Sequence, residues 1–203
     1  MTAIIDYGVG NLFSLKSSFA AIGEEALVTN DESVIERADR IVLPGVGAFE
    51  DAAKKLRESG MARVVRNEAA RGKSLMGICL GMQLLFEKSY EYGTHEGLSL
   101  IKGNIRPLAT VIPGSLKIPQ IGWNALDIKK PGCPYLSKIK DGDYVYFVHS
   151  FYAADCDEFV TATTEYGAPI TACVQNKNVY GCQFHPEKSG EVGLKILESF
   201  CEG

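Results

Sequence analysis

The residues best placed to do chemistry lie in two short stretches. In "SLMGICLGMQLLFE", residues 74–87, Cys79 stands between Gly77 and Gly81, where an apolar run meets an amphipathic one. The form G-x-C-x-G parallels G-x-S-x-G, in which the nucleophile sits on a tight strand-to-helix turn. Small neighbours are needed there, because a Cβ at either flank would meet the returning chain. Such a turn puts Cys79 at a helix N-terminus, where unpaired N–H groups and the helix dipole favour a thiolate. It also sets the Leu80 N–H to help hold an oxyanion. Gln83, four residues on, lies one turn up the same face, within reach of a bound substrate. The plainer alternative is a small buried Cys in a Gly-rich turn.

A Cys nucleophile needs a base, and the base needs an orienting acid. The chain has three His. His185 stands in "QFHPEKS" after a β-rich run, and Pro186 biases it to extended backbone. Residues i and i+2 of an extended segment share a side, so Glu187 is expected beside the imidazole. The alternative for His185-Pro186-Glu187 is a surface turn. His95 reads as a loop residue, and His149, alternating with aromatics in "YFVHSFY", as a strand residue that packs or hydrogen-bonds. A zinc-deaminase reading of H-x-E would need a following P-C-x-x-C, which is missing. "YGVGN" (7–11) begins like a dinucleotide turn but has Phe13 in place of the third Gly. "LPGVG" (43–47) is more useful: Gly45 and Gly47 leave the Gly45–Val46 peptide free to turn, so the Val46 N–H could join that of Leu80 in an oxyanion hole.

The elements that must position these groups follow from the periodicity. The first half alternates β-rich runs at 2–6, 25–30, 40–47 and 73–79 with helical patterns at 10–23, 31–38, 48–72 and 80–89. This predicts an α/β fold with a mostly parallel sheet covered on both faces. The second half is β-rich over 121–129, 143–153, 158–167 and 170–187, with a hairpin turn at "QNKN", and closes in a helix over 189–203 that Ser189 could cap. The expectation is one domain, 1–203, whose parallel sheet carries an antiparallel β extension and presents Cys79 at its carboxyl edge.

Composition limits the function classes. A length of 203 residues suits one sizeable domain, and a net charge of −4 gives no case for nucleic acid or a membrane surface. No apolar run approaches the ~20 residues of a bilayer span. The opening "MTAIIDYGVGN" lacks a basic n-region and reads as a first core strand, so a cytoplasmic location is expected. The six Cys include no C-x-x-C pair, which argues against structural zinc and dithiol redox chemistry. No metal and no cofactor are expected.

G-x-C-x-G followed by Gln, then H-P-E, with P-G-x-G upstream, resembles the class I glutamine amidotransferases. "DYGVGN", "LPGVGAF", "GICLGMQLLFE", "GLSLIKG", "PQIGWN", "YFVHSFYA" and "GCQFHPEKS" run in order from residue 6 to 189. They resemble the branch of that family that feeds ammonia to a (β/α)8-barrel cyclase in histidine biosynthesis. The glutaminase of pyridoxal phosphate synthase is the nearest enzymatic rival, and "GWN" and "HPEKS" favour the former. The resemblance implies a flavodoxin-like open sheet and a triad of Cys79 as nucleophile, His185 as base then acid, and Glu187 as orienter. It implies that glutamine is held by Gly47, Gln83 and Glu91 with backbone of Ser150 and Phe151. It places Asn11, Gln120, Trp123, Tyr146 and Lys188 at the cyclase interface. Many members carry His where this chain has Gln120, so that position is given a polar interface role only. A noncatalytic binding module or a free-standing cysteine hydrolase on the same fold are the readings from other classes.

Overall fold

The computed structural model describes all residues, 1–203. The first half runs β1 (Thr2–Ile5), α1 (Leu12–Ala21), β2 (Ala26–Thr29), α2 (Glu32–Arg37), β3 (Arg40–Leu43), α3 (Phe49–Glu58), α4 (Met61–Ala70), β4 (Ser74–Ile78) and α5 (Leu80–Leu84). The second half supplies short strands β5 (Lys88–Ser89) and β6 (His95–Glu96), then β7 (Asn104–Pro107), β8 (Gln120–Ala125) and β9 (Asp127–Ile128). It continues with β10 (Tyr144–His149), β11 (Phe151–Ala154), β12 (Val160–Glu165), β13 (Pro169–Asn176), β14 (Val179–Cys182) and α6 (Gly190–Glu202).

Eight strands form the main sheet in the order β2-β1-β3-β4-β14-β13-β12-β9. The five from β2 to β14 are parallel and the rest antiparallel. This is the expected mostly parallel sheet with an antiparallel extension. Alternation along each strand divides the core between the two faces. Ala3 and Ile5 of β1, with Ile41 and Leu43 of β3, pack under α2, α3 and α4. Ile4, Val42, Met76 and Ile78 point the other way, onto Leu15 and Phe19 of α1 and Ile196, Leu197 and Phe200 of α6. α2 begins as read: Asp31 Oδ1 accepts from the Ser33 N–H at 2.8 Å.

Three local expectations are corrected. The run 143–153 is not one strand: β10 pairs with β8 in a separate two-stranded ribbon, while β11 joins β7, β5 and β6 in another sheet. The break between β10 and β11 falls at Ser150. The helix expected over 80–89 ends at Leu84. Ser189 does not cap α6 through its side chain; its Oγ donates to His185 O at 2.6 Å and accepts from the Tyr146 N–H at 3.0 Å.

Candidate active site

Cys79 occupies a strained turn between β4 and α5. Its φ of 54° and ψ of −113° are costly for a residue with a Cβ. The conformation is held by the Cys79 N–H donating to Cys182 O at 2.8 Å and the Gln83 N–H donating to Cys79 O at 3.2 Å. The flanking glycines are sterically required. A Cβ on Gly77 would lie 2.7 Å from Gly81 O, and one on Gly81 would lie 1.9 Å from Leu43 O. Leu80 opens α5, so its N–H has no acceptor within the helix.

Sheet order brings His185 to Cys79. β14 lies beside β4 with Cys182 opposite Ile78, so the chain leaving β14 passes the Cys79 turn. His185 is extended, with φ −101° and ψ 100°, as its following Pro predicts. Glu187 reaches it differently from the expected alternation: Pro186–Lys188 form a 3-10 turn that folds the carboxylate back. His185 Nδ1 then lies 2.8 Å from Glu187 Oε1, with both side chains almost fully buried. Nδ1–H donation to the carboxylate leaves Nε2 for Cys79. Burial alone would lower the His185 pKa; the Cys79 sulfur and the Glu187 carboxylate on either side outweigh it and raise the value to about 10. Glu187 Oε2 is buried with no hydrogen-bond partner.

A cavity of about 340 Å³ opens at this point. It is lined by Cys79, His185, Val46, Gly47, Leu80, Gln83, Glu91, Ser150 and Phe151. Every residue that the sequence offered for nucleophile, base, oxyanion or substrate therefore meets at one cavity. Glu187 stands behind His185. Glu91 Oε2 accepts from the Phe49 N–H at 2.7 Å, which ties it to the start of α3. The role read for Gly45 changes. A Cβ there would lie 2.6 Å from Gly81 N, so this glycine answers to packing, whereas Gly47, with φ 92°, answers to backbone conformation. No group of His, Cys, Asp and Glu side chains could hold a metal ion.

Several participants were not identified from the sequence. Gln183 Oε1 accepts from Gln83 Nε2 at 2.9 Å, and its own Nε2 lies 3.7 Å from Cys79 Sγ. Tyr7 is buried, and its hydroxyl donates to Pro44 O at 2.7 Å, tying β1 to the turn after β3. His149, Tyr92 and Pro119 also line the cavity. Only strand alternation in "YFVHSFY" hinted at His149.

The residues expected at an interface divide. In the β8–β10 ribbon Trp123 lies opposite Tyr146 and Ile121 opposite Val148, all on one face. Trp123 and Tyr146 meet edge to face at 6.0 Å, and Lys188 Nζ lies 5.9 Å from the Tyr146 ring centre. Ile121, Trp123 and Tyr144 are exposed on this face, at 61%, 53% and 58%. Asn11 lies at the start of α1, partly exposed. Gln120 departs from expectation. It points to the ribbon's opposite face, is fully buried, and contacts His149 at 3.0 Å, because its β8 register puts it one residue out of phase with Ile121 and Trp123.

A family model described as Glutamine amidotransferase class-I matches residues 3–202. The chain belongs to the class-I glutamine amidotransferases. As an amidotransferase it is a glutamine-hydrolysing enzyme, and its sheet, with helices on both faces, is that family's fold. It is 51% identical to the imidazole glycerol phosphate synthase subunit HisH of Caldanaerobacter subterraneus, over 100% of this chain and 98% of that one. The HisH subunit of Aquifex aeolicus is 49% identical over 98% of this chain and 95% of its own. Among solved structures, PurLQS from Thermotoga maritima aligns with a TM-score of 0.77 at 21% identity, covering 99% of this chain and 97% of that one. The glutaminase domain of Trypanosoma brucei CTPS, solved with acivicin, aligns with a TM-score of 0.67 at 15% identity, over 99% and 93% of the two chains. These two likenesses speak for the fold alone. No helix of this amidotransferase is long and apolar enough to cross a membrane.

Proposed function

We propose that this chain is the glutaminase subunit of an imidazole glycerol phosphate synthase, acting as a single cytoplasmic domain paired with a (β/α)8-barrel cyclase. Cys79 attacks the side-chain amide carbon of glutamine. The N–H groups of Leu80 and Val46 hold the oxyanion, each worth roughly 3 kcal/mol in the transition state. His185, oriented by Glu187, already holds the proton drawn from the Cys79 thiol as an imidazolium beside the thiolate and gives it to the leaving ammonia; water then hydrolyses the glutamyl thioester. Gly47, Gln83, Glu91 and the backbone of Ser150 and Phe151 hold the substrate, with the Glu91 carboxylate suited to its α-ammonium group. The observation that carries this reading is the meeting of Cys79, in its positive-φ turn, with the His185–Glu187 pair at one cavity.

The exposed face of Ile121, Trp123 and Tyr146, with Lys188 and Asn11, is the surface for the cyclase, which receives the ammonia. Docking there can reach the base directly. The His185 N–H donates to Tyr146 O at 3.0 Å, and Ser189 Oγ bridges the Tyr146 N–H to His185 O. The Gly45–Val46 peptide completes the oxyanion hole when the ligand-bound partner stabilises the competent state of the loop.

The test is glutamate release from glutamine by the chain alone, then with the cyclase and its ribonucleotide substrate. Low activity that rises steeply on addition is expected. Full activity alone, unchanged by the cyclase, refutes the paired, gated function. Cys79→Ala should abolish glutamine-dependent synthesis in the complex yet leave synthesis from ammonium salt intact.

A further inference from the structure

His149 is the last residue of β10, lies opposite Gln120 of β8, and is 5% exposed on the wall of the active-site cavity. Its Nδ1 is 2.8 Å from Phe151 O. A carbonyl oxygen carries no proton, so Nδ1 must donate. Phe151 O also accepts from Gln83 Nε2 at 3.1 Å, and that nitrogen lies 2.9 Å from Gln183 Oε1. Gln183 Nε2 in turn lies 3.7 Å from Cys79 Sγ. One side of the imidazole is thus joined through a single carbonyl and two carboxamides to the nucleophile.

The other side runs outward. As placed, His149 Nε2 is 3.0 Å from Gln120 Oε1, Gln120 Nε2 donates to Asn124 Oδ1 at 3.0 Å, and Asn124 Nδ2 donates to Glu165 O at 3.3 Å. From Phe151 O to Glu165 O there are four links. Both ends are carbonyls and bring no proton. A neutral imidazole, Gln120 and Asn124 bring one each along the chain, so three protons serve four links. Either the ring carries a second proton or one link is unmade. The Asn124–Glu165 link is the longest and faces solvent, where water replaces it at little cost. No carboxylate touches the ring. His185 and Lys188 line the same cavity and oppose a further positive charge, while Glu91, the one acid on its wall, is tied to the Phe49 N–H. Burial acts in the same direction, lowering the His149 pKa to about 4. The oxygen and nitrogen of a carboxamide are assigned by such counting, and a neutral ring requires both carboxamides to be turned from the placement above: Gln120 then donates to His149 Nε2, Asn124 donates to Gln120 Oε1, and the solvent-facing link to Glu165 O is given up to water.

We propose that His149 is a positioning residue for glutamine, held as the neutral Nδ1–H tautomer by an N–H from Gln120, and that it fixes the Phe151 carbonyl wall of the substrate site. This rests on the reading that glutamine occupies this cavity. Gln120 is therefore part of the active-site support and not of the docking face.

Two variants separate positioning from bulk. In His149→Asn the amide nitrogen falls near Nδ1 and keeps the donation to Phe151 O. In His149→Gln it falls near Nε2 and loses that donation. In the complex with the barrel cyclase, His149→Asn should keep the KM for glutamine within about threefold, while His149→Gln raises it about tenfold or more with a smaller change in kcat. Equal effects of the two, or no effect of either, overturn the positioning role. Nitrogen-15 NMR of the unaltered protein at pH 7 should show His149 protonated at Nδ1 alone, and Gln120→Glu should convert it to the doubly protonated ring. A doubly protonated ring without that substitution overturns the tautomer assignment. Absence of any glutamate release by the unaltered complex would defeat the functional reading, with the NMR result still deciding the tautomer.

Discussion

Gly81→Ala tests the turn on which the chemistry depends. The added Cβ would sit 1.9 Å from Leu43 O, 2.8 Å from Leu43 C and 3.0 Å from Pro44 C, all backbone atoms that no rotamer change can move aside. Real Cβ atoms essentially never come under 3.0 Å, so about 1.1 Å of displacement is required between the start of α5 and the end of β3. That displacement acts two residues from Cys79 and next to the Val46 loop, the two places that the proposed mechanism requires to agree on the position of the oxyanion. A misplacement of about 1 Å costs roughly 100-fold in rate. Stability changes less. Overpacking costs about 1–3 kcal/mol, and replacing Gly by Ala in a helix returns about 1 kcal/mol. The expected result is kcat/KM for glutamate release in the complex lowered about 100-fold, with thermal unfolding lowered by a few degrees. Gly132→Ala, with nothing within 4 Å of its added Cβ, is the control and should match the unaltered protein in both assays. A Gly81→Ala enzyme within threefold of the unaltered rate would refute the steric account of the turn.

Glu187→Gln removes the anion beside His185 Nδ1, and at least 10-fold loss of kcat is expected, with KM for glutamine nearly unchanged. The same variant tests a pH dependence. His185 titrates at about 10 in the fold against 6.5 ordinarily, so its stabilising contribution is complete below about 6.5 and is lost as pH rises towards 10. Thermal unfolding measured from pH 6 to 10 should fall less steeply in Glu187→Gln than in the unaltered protein. Ser189→Ala strands the Tyr146 N–H and loosens the link to His185 O. It should cost about 1–3 kcal/mol in chemical denaturation and reduce the stimulation of glutaminase by the cyclase.

The sequence by itself determined the parts that depend on local pattern. Strand–helix alternation specified the parallel half of the sheet, because apolar spacing commits each segment to a face before it meets its partner. G-x-C-x-G specified the tight Cys79 turn, because only glycine tolerates the approach of Leu43 O to residue 81. The H-P-E stretch specified an imidazole with a carboxylate at hand, since both lie within three residues. What remained was decided by pairings between distant segments. That β14 lies beside β4, putting His185 at Cys79, depends on sheet order, which the local pattern of neither strand encodes. The split of 143–153 at Ser150 depends on β10 finding β8 and β11 finding β7. Alternation separates Gln120 from Ile121 and Trp123, but that its face is the one turned inward to His149 depends on how the β8–β10 ribbon packs on the rest of the fold. A side chain's face in a ribbon is fixed by the phase of its pairing, and only the folded chain sets that phase.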